Sequence, residues 1–170
     1  MSDLREADAG LTHLDSEGRP KMVDVSGKRV TSRWATAEGS IRMTAATLGR
    51  LVGGGPKGDA VRVAELAGIQ AAKRTHDLIP LCHLLPAVSV GVEVTPDEAL
   101  PGLRVRAVAR VQGSTGVEME ALTAVSVALL TLYDMGKAVD RRMVLGDIRL
   151  TGKAGGRSGV YKVDTASAQG

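Results

Sequence analysis

The sequence predicts an α+β domain in which helices cover one face of an antiparallel sheet, and three observations carry that prediction. Strand-like stretches rich in β-branched residues occur at "KRVTSRWATAEGSIRM", "AVSVGVEV", "LRVRAVARV" and "MVLGDIRL". Two longer helical patterns of small and aliphatic residues separate them. From the strand near Ile41, with a short helix set aside, the order is strand, helix, strand, strand, helix, strand. That is the β-α-β-β-α-β order of a ferredoxin-like sandwich, here preceded by a short strand/helix extension.

Residues 1–20 are polar and rich in Gly and Asp, which predicts a flexible N-terminal arm. Residues 21–165 then form one domain and 166–170 a tail. Lys28 to Met43 shows partial alternation and predicts one or two strands. "TAATLGRLV", Thr44 to Val52, predicts a short helix stopped by Gly53, Gly54, Gly55 and Pro56. Asp59 is placed to cap the next helix, which runs to about His76. Its Ala64, Ala67, Gly68, Ala71 and Ala72 share one small-residue face. Pro80 cannot lie inside a helix, so "HDLIPLCH" turns or extends.

Ala87–Val94 and Leu103–Val111 read as hairpin strands joined by the longer loop "TPDEALPG". The second puts Arg104, Arg106 and Arg110 on one face and Leu103, Val105, Ala107, Ala109 and Val111 on the other. Ser114–Arg142 predicts a long helix with Val117, Ala121, Val125, Ala128 and Leu132 along one stripe. "MVLGDIRL" is the last strand, followed by the Gly-rich "TGKAGGRSG".

Composition narrows the function. A chain of 170 residues can bury a real core as one domain. Aromatics are 2% with no Phe, so Ala, Val, Leu and Ile must fill the interior and the elements must approach closely. The net charge of +3 is milder than a nucleic-acid-binding domain shows. A ferredoxin-like sheet can bind RNA through stacking aromatics, but Trp34, Tyr133 and Tyr161 are scattered. Cys82 is the lone cysteine, which excludes an intrachain disulfide and suits a reducing compartment. The opening "MSDLREADAG" lacks the apolar region of a secretory leader. The most apolar run, Ala124 to Tyr133, is too short to span a bilayer. The expectation is a cytoplasmic protein with neither a membrane nor a nucleic-acid partner.

Several groups could carry chemistry, and each has a plain alternative. Asp134 and Lys137 are i, i+3 neighbours, either a solvated pair or a proton-transfer couple. Glu118 and Glu120 sit near a helix start, where carboxylates also complement the macrodipole. Lys57 follows three glycines and precedes a helix N-terminus, a setting that can hold phosphate, although the P-loop pattern is missing. Lys153 and Arg157 lie in a second Gly-rich segment. Cys82 and His83 are adjacent, with no second Cys or His at ligand spacing, so no metal site is expected. The remaining alternative is a non-catalytic subunit that oligomerises through the small-residue helix.

Spacing adds a constraint. Glu120 and Asp134 are 14 residues apart, nearly four whole turns, and so share a helix face. At 1.5 Å per residue they would stand about 21 Å apart if both are helical. One small substrate cannot touch both within a single chain. Either the site is shared between subunits or Glu120 lies in an unwound helix start.

The segments "MVDVS", "AGIQAAKRT", "DLIPLCH", "TGVEMEALTA" and "LYDMGKAV", in that order, closely resemble the cyclic pyranopterin monophosphate synthase family of molybdenum-cofactor biosynthesis. The resemblance runs from about Leu11 to Val163. It implies a lyase that converts a cyclised dihydroguanosine triphosphate to cyclic pyranopterin monophosphate and diphosphate. It also implies a homohexamer, a trimer of dimers, with active sites at subunit interfaces. Carried over by motif, Asp134, Lys137 and the loop lysine Lys57 are catalytic. Leu81, Cys82, His83, Glu118, Met119 and Glu120 bind substrate, with Arg33, Lys153 and Arg157 as anion-binding cations and Lys73 and Arg74 nearby. No cofactor is implied beyond Mg²⁺ accompanying the phosphates. Two departures stand out: Leu84 replaces a proline usual after "LCH", and Arg157 stands where lysine is frequent.

Overall fold

The strands β1 (Thr31–Arg42), β2 (Ser89–Asp97), β3 (Gly102–Gly113), β4 (Val144–Ala154) and β5 (Tyr161–Lys162) form one antiparallel sheet in the order β2-β3-β1-β4-β5. The structure is a computed structural model and describes residues 17–54, 58–156 and 159–163. The order β2-β3-β1-β4 is the ferredoxin-like arrangement the sequence predicts, because each strand–helix–strand unit leaves a slot that a third strand fills. The helices are α1 (Ala45–Val52), α2 (Ala60–Ala72), α3 (Thr75–Leu78) and α4 (Glu118–Gly136).

The accessory pieces fall elsewhere than expected. Among the described residues no helix or strand precedes β1, which is itself the first strand of the motif. The extra helices α1 and α3 lie inside the first crossover, and the extra strand is β5 at the far edge.

Local chemistry sets the boundaries. Thr44 caps α1 by accepting the Thr47 amide, and Asp59 caps α2 by accepting the Arg62 amide. The expected run of α2 to His76 is broken at Ala72, where the Thr75 hydroxyl takes the Ala72 carbonyl at 2.9 Å. A separate turn of helix follows and ends at Ile79, whose extended backbone is what Pro80 demands. β2 starts two residues later than expected because Ala87 is left-handed, with φ 57°. It also runs on through Pro96, tolerable because β2 is an edge strand. Asp97 Oδ1 then accepts the Ala99 and Leu100 amides and turns the hairpin.

The core lies between the sheet and the α2/α4 layer. Ala35, Ala37 and Ile41 of β1, Leu103, Val105, Ala107 and Ala109 of β3, and Ala121, Val125, Ala128, Leu129 and Leu132 of α4 are fully buried. The predicted faces of β3 and α4 are thus the observed ones. Each buried Leu or Val contributes about 1.5–3 kcal/mol. Small residues let the layers close up. A Cβ on Gly39 would meet Val125 Cγ1 at 2.8 Å, and one on Gly68 would meet the Ala124 carbonyl at 2.8 Å.

α4 is shorter than predicted, starting at Glu118 and ending at Gly136, with Lys137 as its C-cap. By length and composition it could nevertheless cross a membrane, a point that the shorter apolar run in the sequence conceals. Its packing against α2 and four strands instead makes it the central helix of the sandwich.

Candidate functional site

Both ends of α4 carry chemistry. At the N-terminal end, β3 stops at Gly113 and the chain turns through Ser114–Val117 into the helix. Arg33, on neighbouring β1, holds this turn, its Nε donating to the Gly113 carbonyl and its Nη2 to the Ser114 carbonyl, each at 3.0 Å. Two of the guanidinium nitrogens of this expected anion-binding cation therefore serve the backbone. Glu118 Oε1 pairs with Lys153 Nζ from β4 at 2.8 Å, both side chains half-buried. The Glu118 carboxylate lies back against Gly116, where a Cβ would collide with it.

Pro80 ends α3, and the Cys82 amide donates to the Ile79 carbonyl at 3.0 Å, a turn that delivers Leu81, Cys82 and His83 to the same place. His83 Nε2 lies 2.8 Å from the Val23 carbonyl, fastening the 22–28 segment across the opening. These residues, with Lys28, Met119 and Glu120, line a cavity of about 270 Å³. Leu84, in the position of the family's proline, is exposed.

Glu120 is the unusual group in this cavity. It is 3% exposed, and its Oε2 has no hydrogen-bond partner among the described residues. Oε1 accepts the Cys82 thiol, at 3.8 Å. Burial pushes the Glu120 carboxyl above its ordinary range. Burial first, and then the Glu120 carboxylate, push the Cys82 thiol up to about 11. Glu120 also lines a second cavity of about 270 Å³ with Lys73 and His76. Arg74 is exposed at the start of α3 and lines neither cavity.

At the other end of α4, Lys137 Nζ lies 2.6 Å from Asp134 Oδ1, the two side chains 52% and 61% exposed. A cavity of about 460 Å³ lies between α1 and residues 135–139, lined by Met135, Gly136, Ala138 and Val139 but by neither Asp134 nor Lys137, with Gly54 and Gly58 also in its lining. Lys57 and Arg157 lie outside the described residues.

Glu120 and Asp134 are now both inside one unbroken helix, so the separation of about 21 Å stands and the unwound-start alternative falls. The structure gathers Leu81, Cys82, His83, Glu118, Met119, Glu120, Arg33 and Lys153 at one end and leaves Asp134 and Lys137 at the other. Sequence reasoning missed Lys28, the Val23 carbonyl and His76 as cavity-lining groups. The "MVDVS" segment was the available signal for the strap, but nothing in its spacing ties it to His83.

Fold and site together define an α+β sandwich that presents carboxylates, an imidazole and cations around cavities, suited to acid–base work on an anionic small molecule. Residues 22–156 match the sequence model of the MoaC family. The chain is 59% identical over 159 residues to the cyclic pyranopterin monophosphate synthase of Brucella melitensis, covering 92% of this chain and 96% of that protein. It is 62% identical over 160 residues to the synthase of a Methylobacterium species, covering 93% and 99%. With that of Dinoroseobacter shibae it shares 57% over 157 residues, covering 92% and 99%. The chain belongs to the MoaC family.

Proposed function

We propose that this chain is a lyase that converts (8S)-3',8-cyclo-7,8-dihydroguanosine 5'-triphosphate to cyclic pyranopterin monophosphate and diphosphate, in molybdenum-cofactor biosynthesis. The supporting observation is the contact between two segments of the resemblance, "LCH" and "VEME", around a buried carboxylate with a spare oxygen. A purine-derived ring offers that oxygen N–H donors, and a lone buried acceptor selects strongly for a donor.

The triphosphate requires cations, for which Lys153, Lys57 and Arg157 are the candidates, with Arg33 contributing whatever donors the Ser114 turn leaves it. The Lys137/Asp134 couple moves protons during ring opening and pyranopterin closure. A substrate hydroxyl then attacks the α-phosphorus, the bond to the β-phosphate oxygen breaks, and diphosphate leaves against the same cations. This reading calls for no resident cofactor, Mg²⁺ entering only with the phosphates.

Because the two ends of α4 are about 21 Å apart, the active site takes its His83/Glu120 half from one subunit and its Asp134/Lys137 half from another. The assembly is a homohexamer built from dimers, in the cytoplasm, and an exposed Lys137/Asp134 pair is what a subunit awaiting its partner would present. Product analysis after supplying the purified protein with the cyclised triphosphate tests the activity. Lys137→Ala should abolish diphosphate release with the oligomer intact, and near-normal release would refute its role.

A further inference from the structure

At the Lys137 end of α4, the structure holds one buried polar cluster that the proposed chemistry leaves unused. Asp140 is 7% exposed although it lies three residues beyond Lys137, outside the helix. Its amide donates back to the Gly136 carbonyl at 3.1 Å, as does that of Val139 at 2.9 Å, so Lys137 sits inside a closed turn. Its carboxylate then leaves the turn. Oδ2 accepts the Thr44 amide at 3.3 Å and the Thr47 hydroxyl at 3.5 Å, both at the start of α1. Oδ1 accepts the Arg142 amide at 2.9 Å. The Arg142 amide foremost, then the Thr44 amide, hold this carboxyl below its ordinary range.

Thr47 and Leu51 of α1 form one wall of the 460 Å³ cavity, and Met135, Gly136, Ala138 and Val139 form another. Gly136 carries α1 at close range, since a Cβ there would lie 3.4 Å from Leu51 Cδ1. One side chain therefore fixes the turn that carries Lys137 to the start of α1. α1 also leads directly into the Gly53–Gly58 segment.

We propose that Asp140 is a positioning residue that sets where the turn carrying Lys137 stands relative to α1. The inference rests on the reading of Lys137 as catalytic. A misplacement of about 1 Å in a catalytic group can cost on the order of a hundredfold in rate, so the clamp bears on turnover more than on binding.

The test measures diphosphate release from the cyclised triphosphate by the parent, Asp140→Ala, Asp140→Asn and a control, Val94→Ala. Val94 is a buried core residue on the edge strand β2, and it neither lines this cavity nor bonds to Asp140. All are assayed well below their melting temperatures. Asp140→Ala should lower kcat about tenfold or more with KM within about threefold. Asp140→Asn, which keeps one acceptor oxygen, should fall between it and the parent and also serves if the alanine variant fails to fold. Val94→Ala should melt lower yet keep its kcat. A folded Asp140→Ala or Asp140→Asn with parental kcat overturns the inference, as does an equal kcat loss in Val94→Ala. A parent protein that releases no diphosphate instead overturns the proposed function on which the inference rests.

Discussion

Glu120 shows what a buried carboxylate costs a small core. Its Oε2 is buried without a partner among the described residues, and leaving such a group unsatisfied costs on the order of 1–3 kcal/mol. Its folded pKa is raised, so the fold favours the protonated form, and the penalty appears as pH climbs from the ordinary carboxylate range through the raised value. Glu120→Gln should therefore melt several degrees higher than the parent at pH 7, at about 2–4 °C per kcal/mol. The gain should shrink as pH falls towards about 4, while turnover is lost; differential scanning calorimetry across that range checks the sign. The same carboxylate suppresses its neighbour. With its pKa at about 11, the Cys82 thiol should react with iodoacetamide at pH 8 about two orders of magnitude more slowly than a free cysteine. Glu120→Gln should speed that reaction. The sequence identifies both residues through the resemblance, but their contact spans 38 positions and no local pattern carries it.

At the scale of elements, close packing decides against propensity. Glycine inside α2 at Gly68 costs about 1 kcal/mol relative to alanine in an isolated helix. Yet a Cβ there would lie 2.8 Å from the Ala124 carbonyl of α4, a backbone atom that cannot swing aside. Overpacking of that kind costs about 1–3 kcal/mol, so Gly68→Ala should be destabilising on balance and melt lower. A higher melting temperature would show that the α2/α4 crossing is looser than the structure has it. Periodicity revealed this face because small residues at i, i+3, i+4 leave a mark in the sequence. It revealed the α4 stripe and the two faces of β3 for the same reason. The early end of α2 was hidden, because it depends on one hydroxyl of Thr75 turning back to Ala72. So was the late start of β2, which depends on the sign of φ at Ala87.

For the whole molecule, the placement of the site residues on one chain makes a prediction about two. If a site takes His83 from one subunit and Lys137 from another, His83→Ala and Lys137→Ala subunits are each inactive but complement when mixed. Random pairing leaves both groups intact in about a quarter of the sites, so recovery should approach a quarter of parental activity. No recovery in oligomers verified to be mixed would place both residues in one subunit's site. The strand order and the two-ended layout were legible because the strand, helix and motif order fixed them. A homohexamer with shared sites rests on the resemblance and on the 14-residue spacing, and the mixing experiment is its test.

One unbroken helix of nineteen residues carries both Glu120 and Asp134. Their spacing is recorded as a count of peptide units, so substitutions along the helix change its packing while leaving that count alone. Adding four residues, just over one turn, would keep Glu120 and Asp134 on nearly the same face yet carry them about 6 Å further apart. A single inserted residue between Glu120 and Asp134 would turn one of them about 100° around the axis and shift it about 1.5 Å.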